Sequence, residues 1–100
     1  MKPFRFHREA LAEAKAAAEH YAAINPQLGQ RFYDTIDQLV REACAQPTLY
    51  RLFDPPARRH FRRPFPYAVI YLDRPDHVWI VAVAPFKMRP GYWKDRLGLS

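Results

Sequence analysis

The chain has 100 residues, nearly half of them apolar, and a net charge of +6. That is enough for one globular domain over 1–100 and too apolar for a disordered chain. It excludes a membrane span, because no apolar run approaches the ~20 residues one needs. The start, Met1-Lys2-Pro3-Phe4-Arg5, lacks the apolar stretch of a secretory signal, and the lone Cys44 excludes an internal disulfide. Both features lead us to expect a cytoplasmic protein.

Phe4 and Phe6 alternate with Arg5 and His7, the pattern of a short edge strand. From Arg8 the period becomes helical, with Leu11, Ala14, Ala18, Tyr21 and Ala22 on the expected apolar face. Asn25-Pro26 ends that helix and starts another, since Asn is a good N-cap and Pro suits the first helical position. Leu28, Phe32, Ile36, Leu39, Val40 and Ala43 make the apolar face of the second helix, which ends near Gln46-Pro47. Residues 47–56 read as an irregular link. A basic strand, Ala57–Arg63, follows, and Pro64 and Pro66 separate it from two apolar runs, 65–72 and 78–84. Those runs are apolar at odd and even positions alike, as in strands covered on both faces. Hairpin connections make the last three strands an antiparallel meander, and the close reads as a short turn or helix. The expected fold is α+β, with the helical hairpin on one face of the sheet and the other face left to the C-terminal segment and a partner.

Charge is unevenly placed. Residues 1–50 hold six Lys/Arg and six Asp/Glu, whereas residues 51–100 hold ten against four. The whole excess lies in the second half, which points to nucleic acid or an acidic protein as partner. In the basic strand Arg58, His60 and Arg62 share one face, and Arg59, Phe61 and Arg63 share the other. The close, Phe86-Lys87-Met88-Arg89-Pro90-Gly91-Tyr92-Trp93-Lys94-Asp95-Arg96-Leu97, combines cations with aromatics. Those residue types engage phosphates and stack on bases, or else Tyr92 and Trp93 pin the tail to the sheet. The four histidines sit in four different segments without metal-ligand spacing, and no nucleophile or phosphate-loop motif is present. No metal or cofactor is expected.

In this order, Arg62-Arg63-Pro64-Phe65-Pro66-Tyr67, the run Ile80–Ala84 and Arg89-Pro90-Gly91-Tyr92-Trp93 resemble the RelE/ParE superfamily of type II toxin–antitoxin toxins. The resemblance covers nearly the whole chain and implies a β-α-α-β-β-β fold and a cognate, acidic antitoxin. It also implies one of two activities. RelE-like members cleave mRNA on the ribosome without a metal, whereas ParE-like members poison DNA gyrase and are generally not nucleases. The position where RelE-like enzymes commonly carry an arginine in the central strand is Ala68 here. Those of their C-terminal arginine and tyrosine align with Lys87 and Trp93, and an indole is no general acid or base.

The resemblance therefore implies the gyrase-directed branch, a plasmid-stabilising or growth-arresting toxin that is not itself an enzyme. On this reading Lys87, Arg89, Tyr92, Trp93, Lys94 and Arg96 contact the target. Arg58, Arg59, Arg62, Arg63, Leu11 and Tyr21 contact the antitoxin. The alternative is a ribosome-dependent mRNA endonuclease using Lys87, Arg89, Tyr92, Arg62 and Arg63. A third reading is a binding module without toxicity.

Overall fold

The structure, a computed structural model, describes residues 1–98. Strand β1 (Phe4–Phe6) leads into helices α1 (Arg8–Ile24) and α2 (Pro26–Ala45). Four strands follow, β2 (Arg51–Leu52), β3 (Arg58–Phe61), β4 (Tyr67–Asp73) and β5 (Val78–Pro85), and then a 3-10 turn, Lys94–Leu97. The fold is α+β. A single asparagine builds the hairpin. Asn25 donates its N–H to the Tyr21 carbonyl, ending α1, and its Oδ1 accepts from Gln27 N at 2.8 Å, starting α2.

The sheet has five strands in the order β1-β5-β4-β3-β2. The antiparallel meander extends one strand further than the sequence suggests, because Arg51 and Leu52 pair with Arg59 and Arg58. Two residues carry no readable alternation, so this stretch looks like a link until its partner is known. Phe65 and Pro66 precede β4 instead of opening it, and Phe65 is buried in the core under the helices. Strand β1 runs parallel to β5, with Phe4 opposite Val78 and Phe6 opposite Ile80.

Both faces of the central strands are covered. On the helical side Val69, Tyr71, Val78, Ile80 and Val83 pack with Phe32, Ile36, Leu39 and the alanines of α1. On the other side Ala68, Ile70, Leu72, Val81, Ala82 and Ala84 pack under Ala57 and Trp93. The ladder shifts register between Ile70, opposite Ala82, and Tyr71, opposite Ile80, so Val81 has no partner. Consecutive residues Val81 and Ala82 consequently fall in the same cluster, as a bulge requires.

The apolar face of α1 differs from the expected one. The buried residues are Ala10, Ala14, Ala17 and Ala18, while Ala22 is exposed and Leu11 is 57% exposed. At about 100° per residue, Leu11 is turned well away from Ala10 and off the row that meets α2 and the sheet.

Candidate functional site

The closing segment crosses the sheet face opposite the helices, and its residues do different work. Trp93 is 2% exposed and packs on Ala68, Ile70, Val81, Ala82 and Ala84. It is a plug that pins the closing segment to the sheet. Gly91 takes φ +79° at the turn before it, a conformation in which a side chain would be strained. Lys94 Nζ reaches Asp54 Oδ2 at 2.9 Å, tying this segment to the loop before β3.

Arg96 is also inward. Its Nη1 donates to Glu13 Oε1 at 2.9 Å and to the Val81 carbonyl at 3.0 Å, and its Nη2 donates to Glu13 Oε2 at 2.8 Å. The carbonyl released by the bulge thus meets a guanidinium. Glu13 accepts two further bonds, from Val83 N at 3.0 Å and from the Tyr92 hydroxyl at 2.8 Å. The β5 edge beyond β1 is closed by a side-chain ion pair in place of another strand. Burial, and then the hydrogen bond to Glu13, push the Tyr92 phenol well above its ordinary value. That hydroxyl keeps its proton at neutral pH.

The basic strand divides between the two faces. Arg58 Nη1 donates to the carbonyls of Thr48 at 3.2 Å and Tyr50 at 2.8 Å. His60 is buried, stacks on Tyr50 with ring centroids 3.6 Å apart, and its Nε2 lies 2.7 Å from Glu42 Oε1. Arg62 Nη2 donates to both Glu42 oxygens, at 2.9 and 3.1 Å. These three side chains brace β3 against α2 and the preceding loop. Burial lowers the His60 pKa and outweighs the neighbouring carboxylate, so the ring is neutral and donates Nε2–H to Glu42. Burial also opposes ionisation of Glu42, but hydrogen bonds from Arg62 and His60 together hold its pKa below the ordinary value.

Arg59 points the other way. Its guanidinium lies 5.2, 4.9 and 5.0 Å from the ring centres of Phe53, Phe61 and Phe86. Beside it is a cavity of about 90 Å³ walled by Ala68, Ile70, Ala84, Phe86, Met88 and Trp93, with Arg89 also on its lining. Lys87 and Arg89 are exposed, as is Arg63. Tyr21 is half-buried in an aromatic cluster with Phe32, Phe65 and Tyr67.

Residues 4–90 match the family model described as "ParE toxin of type II toxin-antitoxin system, parDE". The chain belongs to the ParE toxin family. A solved structure titled "Chromosomal ParDE TA system from P. aeruginosa" superposes with a TM-score of 0.74 at 19% identity, over 85% of this chain and 96% of that one. At that identity the likeness shows the ParE fold. No curated protein matches the chain.

Of the sequence-derived candidates, this ParE chain leaves Lys87, Arg89, Lys94, Arg63 and Leu11 exposed. It uses Arg58, Arg62, Tyr92, Trp93 and Arg96 within the fold. The five nuclease candidates are not gathered: Arg62 is held on the α2 side by Glu42, while Arg89 lines the cavity on the opposite face. The sequence does not single out Glu13 and Glu42, because their partners are distant along the chain. One signal for Glu13 exists, since a carboxylate at position 13 adjoins the alanine row 10, 14 and 17 at helical spacing.

Proposed function

We propose that this ParE-family chain inhibits DNA gyrase and thereby arrests replication and growth, in the cytoplasm, until a cognate acidic antitoxin neutralises it. The observation that carries the reading is the chemistry of the sheet face under the closing segment. Its cavity presents Arg59 and Arg89 above a floor of Ala68, Ile70 and Ala84, with Trp93 as a wall. Metal-free RNA cleavage needs groups that take and give protons at the 2′-hydroxyl and the leaving oxygen. Guanidiniums stay charged, an indole has no exchangeable role of that kind, and the Tyr92 proton is committed to Glu13. This is the composition of a binding surface.

The antitoxin reading rests on the exposed Leu11 and Ile24 of α1 and on the basic second half, which suit an acidic segment that folds as it binds. Purified protein added to gyrase should block supercoiling and trap cleaved DNA. Unchanged supercoiling and cleavage at saturating protein would overturn the reading, and codon-phased cuts in translated mRNA would replace it with the endonuclease.

A further inference from the structure

The group around Arg59 differs from the cations that the fold itself engages. Arg58, Arg62, Lys94 and Arg96 are engaged by carbonyls or carboxylates of the fold. Arg59 and Arg89 make no ion pair among the described residues, and both line one small cavity. Phe86 and Met88, on its lining, are 37% and 42% exposed, and Phe61, packed on Phe86, is 40% exposed. Phe61 and Phe86 meet edge to face with centroids 5.1 Å apart, and the Arg59 guanidinium lies near both rings. Aromatic, methionine and arginine side chains around an apolar pocket are the composition of a protein–protein interface core.

The size and lining of the cavity select the occupant. About 90 Å³ is well below the ~300 Å³ at which sites for small molecules and nucleotides begin. It fits one side chain. The floor is apolar, so that side chain is apolar, and the two unpaired guanidiniums at the lining call for carboxylates beside it.

We propose that this patch is where the toxin grips its target, and that it takes a gyrase surface segment presenting an apolar side chain flanked by Asp or Glu. This rests on the gyrase reading given above. Arg59, held among three rings, is preorganised to receive a carboxylate, and Met88 adapts its unbranched chain to the entering side chain.

The test is binding of the full chain to immobilised gyrase holoenzyme, comparing wild type with M88D, R89E and R31E. Thermal unfolding of each variant serves as the check on folding. Met88 and Arg89 are exposed, so both variants should unfold close to the wild-type temperature. Each should bind gyrase at least about tenfold more weakly. R31E makes the same charge change on the exposed surface of α2 and should stay within about twofold, because the effect belongs to the patch and not to net charge.

Wild-type binding with undiminished affinity in M88D and R89E overturns this inference and leaves the gyrase reading intact. A wild-type chain that does not bind gyrase overturns both. Equal weakening in R31E reduces the effect to bulk charge and also overturns the patch. A parallel titration with a labelled single-stranded RNA separates the remaining occupant. RNA binding that M88D and R89E abolish, with gyrase binding unchanged, reassigns the cavity to nucleic acid.

Discussion

Glu13 and Arg96 lie 83 residues apart and meet through both carboxylate oxygens and both terminal guanidinium nitrogens. Their side chains are 22% and 10% exposed, so the pair is shielded but not sealed. It fastens the closing segment to α1, and through Val83 N and the Val81 carbonyl it also satisfies the open edge of β5.

Removing one partner strands the other. Glu13→Ala leaves Val83 N and the Tyr92 hydroxyl without their acceptor and the Arg96 guanidinium without its paired carboxylate, and should cost on the order of 3 kcal/mol. Urea unfolding measures it. The double change Glu13→Met with Arg96→Met should recover part of the loss, because no charge is then left alone. Single and double variants of equal stability would show that the pair contributes nothing.

Acid should weaken the fold in two overlapping steps with the same sign. His60 has a folded pKa below its ordinary 6.5, so its contribution is complete above that value and is lost as pH falls through the lowered one. Glu42 is likewise held below its ordinary 4.5, so its contribution is present above that pH and is lost as pH falls further. Unfolding temperature should therefore decline from about pH 6.5 downward, and His60→Gln should remove the earlier part of the decline. A wild-type curve flat from pH 7 to pH 5 would contradict this.

Base acts on the tyrosines. Burial pushes the Tyr71 phenol up to about 12, and its hydroxyl donates to the Pro47 carbonyl at 2.8 Å. A raised folded pKa means stability that is complete below the ordinary 10.0 and is lost as pH rises through about 12. Absorbance titration should show Tyr71 and Tyr92 silent at pH 11, and Tyr71→Phe should shift the alkaline unfolding midpoint.

At Gly29 the backbone of α2 packs directly against α1. A Cβ there would lie 2.7 Å from Ala22 Cβ and 2.9 Å from the Ala18 carbonyl oxygen. Alanine normally gains about 1 kcal/mol over glycine inside a helix. The clash with backbone should reverse that sign, giving Gly29→Ala a net loss of about 1–2 kcal/mol by denaturant titration. A stabilised variant would mean that the helices separate without cost.

Trp93 tests the distinction between holding the fold and touching the target. Trp93→Ala should lose about 3–5 kcal/mol, as expected for a large buried aromatic, and soluble yield should fall with it. Retained stability with lost gyrase inhibition would instead place the indole at the target surface.

Much of the fold is legible because its signals are local. Asn25-Pro26 announces both helix ends, and the unbroken apolar runs announce strands covered on two sides. The basic strand is harder, since alternation tells which arginines share a face but not which face meets α2. Glu42 settles that by drawing in His60 and Arg62 and leaving Arg59 to the phenylalanines. The bulge at Val81, the two-residue β2 and the Glu13 bond set have no local signature, because each is defined by a partner elsewhere in the chain. The aromatic and cationic close stands out in the sequence. Which of its residues face outward was decided by packing.

The pairing of Phe4 with Val78 has a consequence for synthesis. A nascent chain makes the helical hairpin early, from neighbours in sequence, whereas the sheet waits for β4 and β5 to emerge. In that interval the apolar side of the hairpin is uncovered and the face carrying Arg59, Phe86 and Arg89 does not yet exist. On the antitoxin reading proposed above, a partner that docks on the exposed Leu11 and Ile24 of the hairpin would meet the chain on the ribosome, before that face has formed.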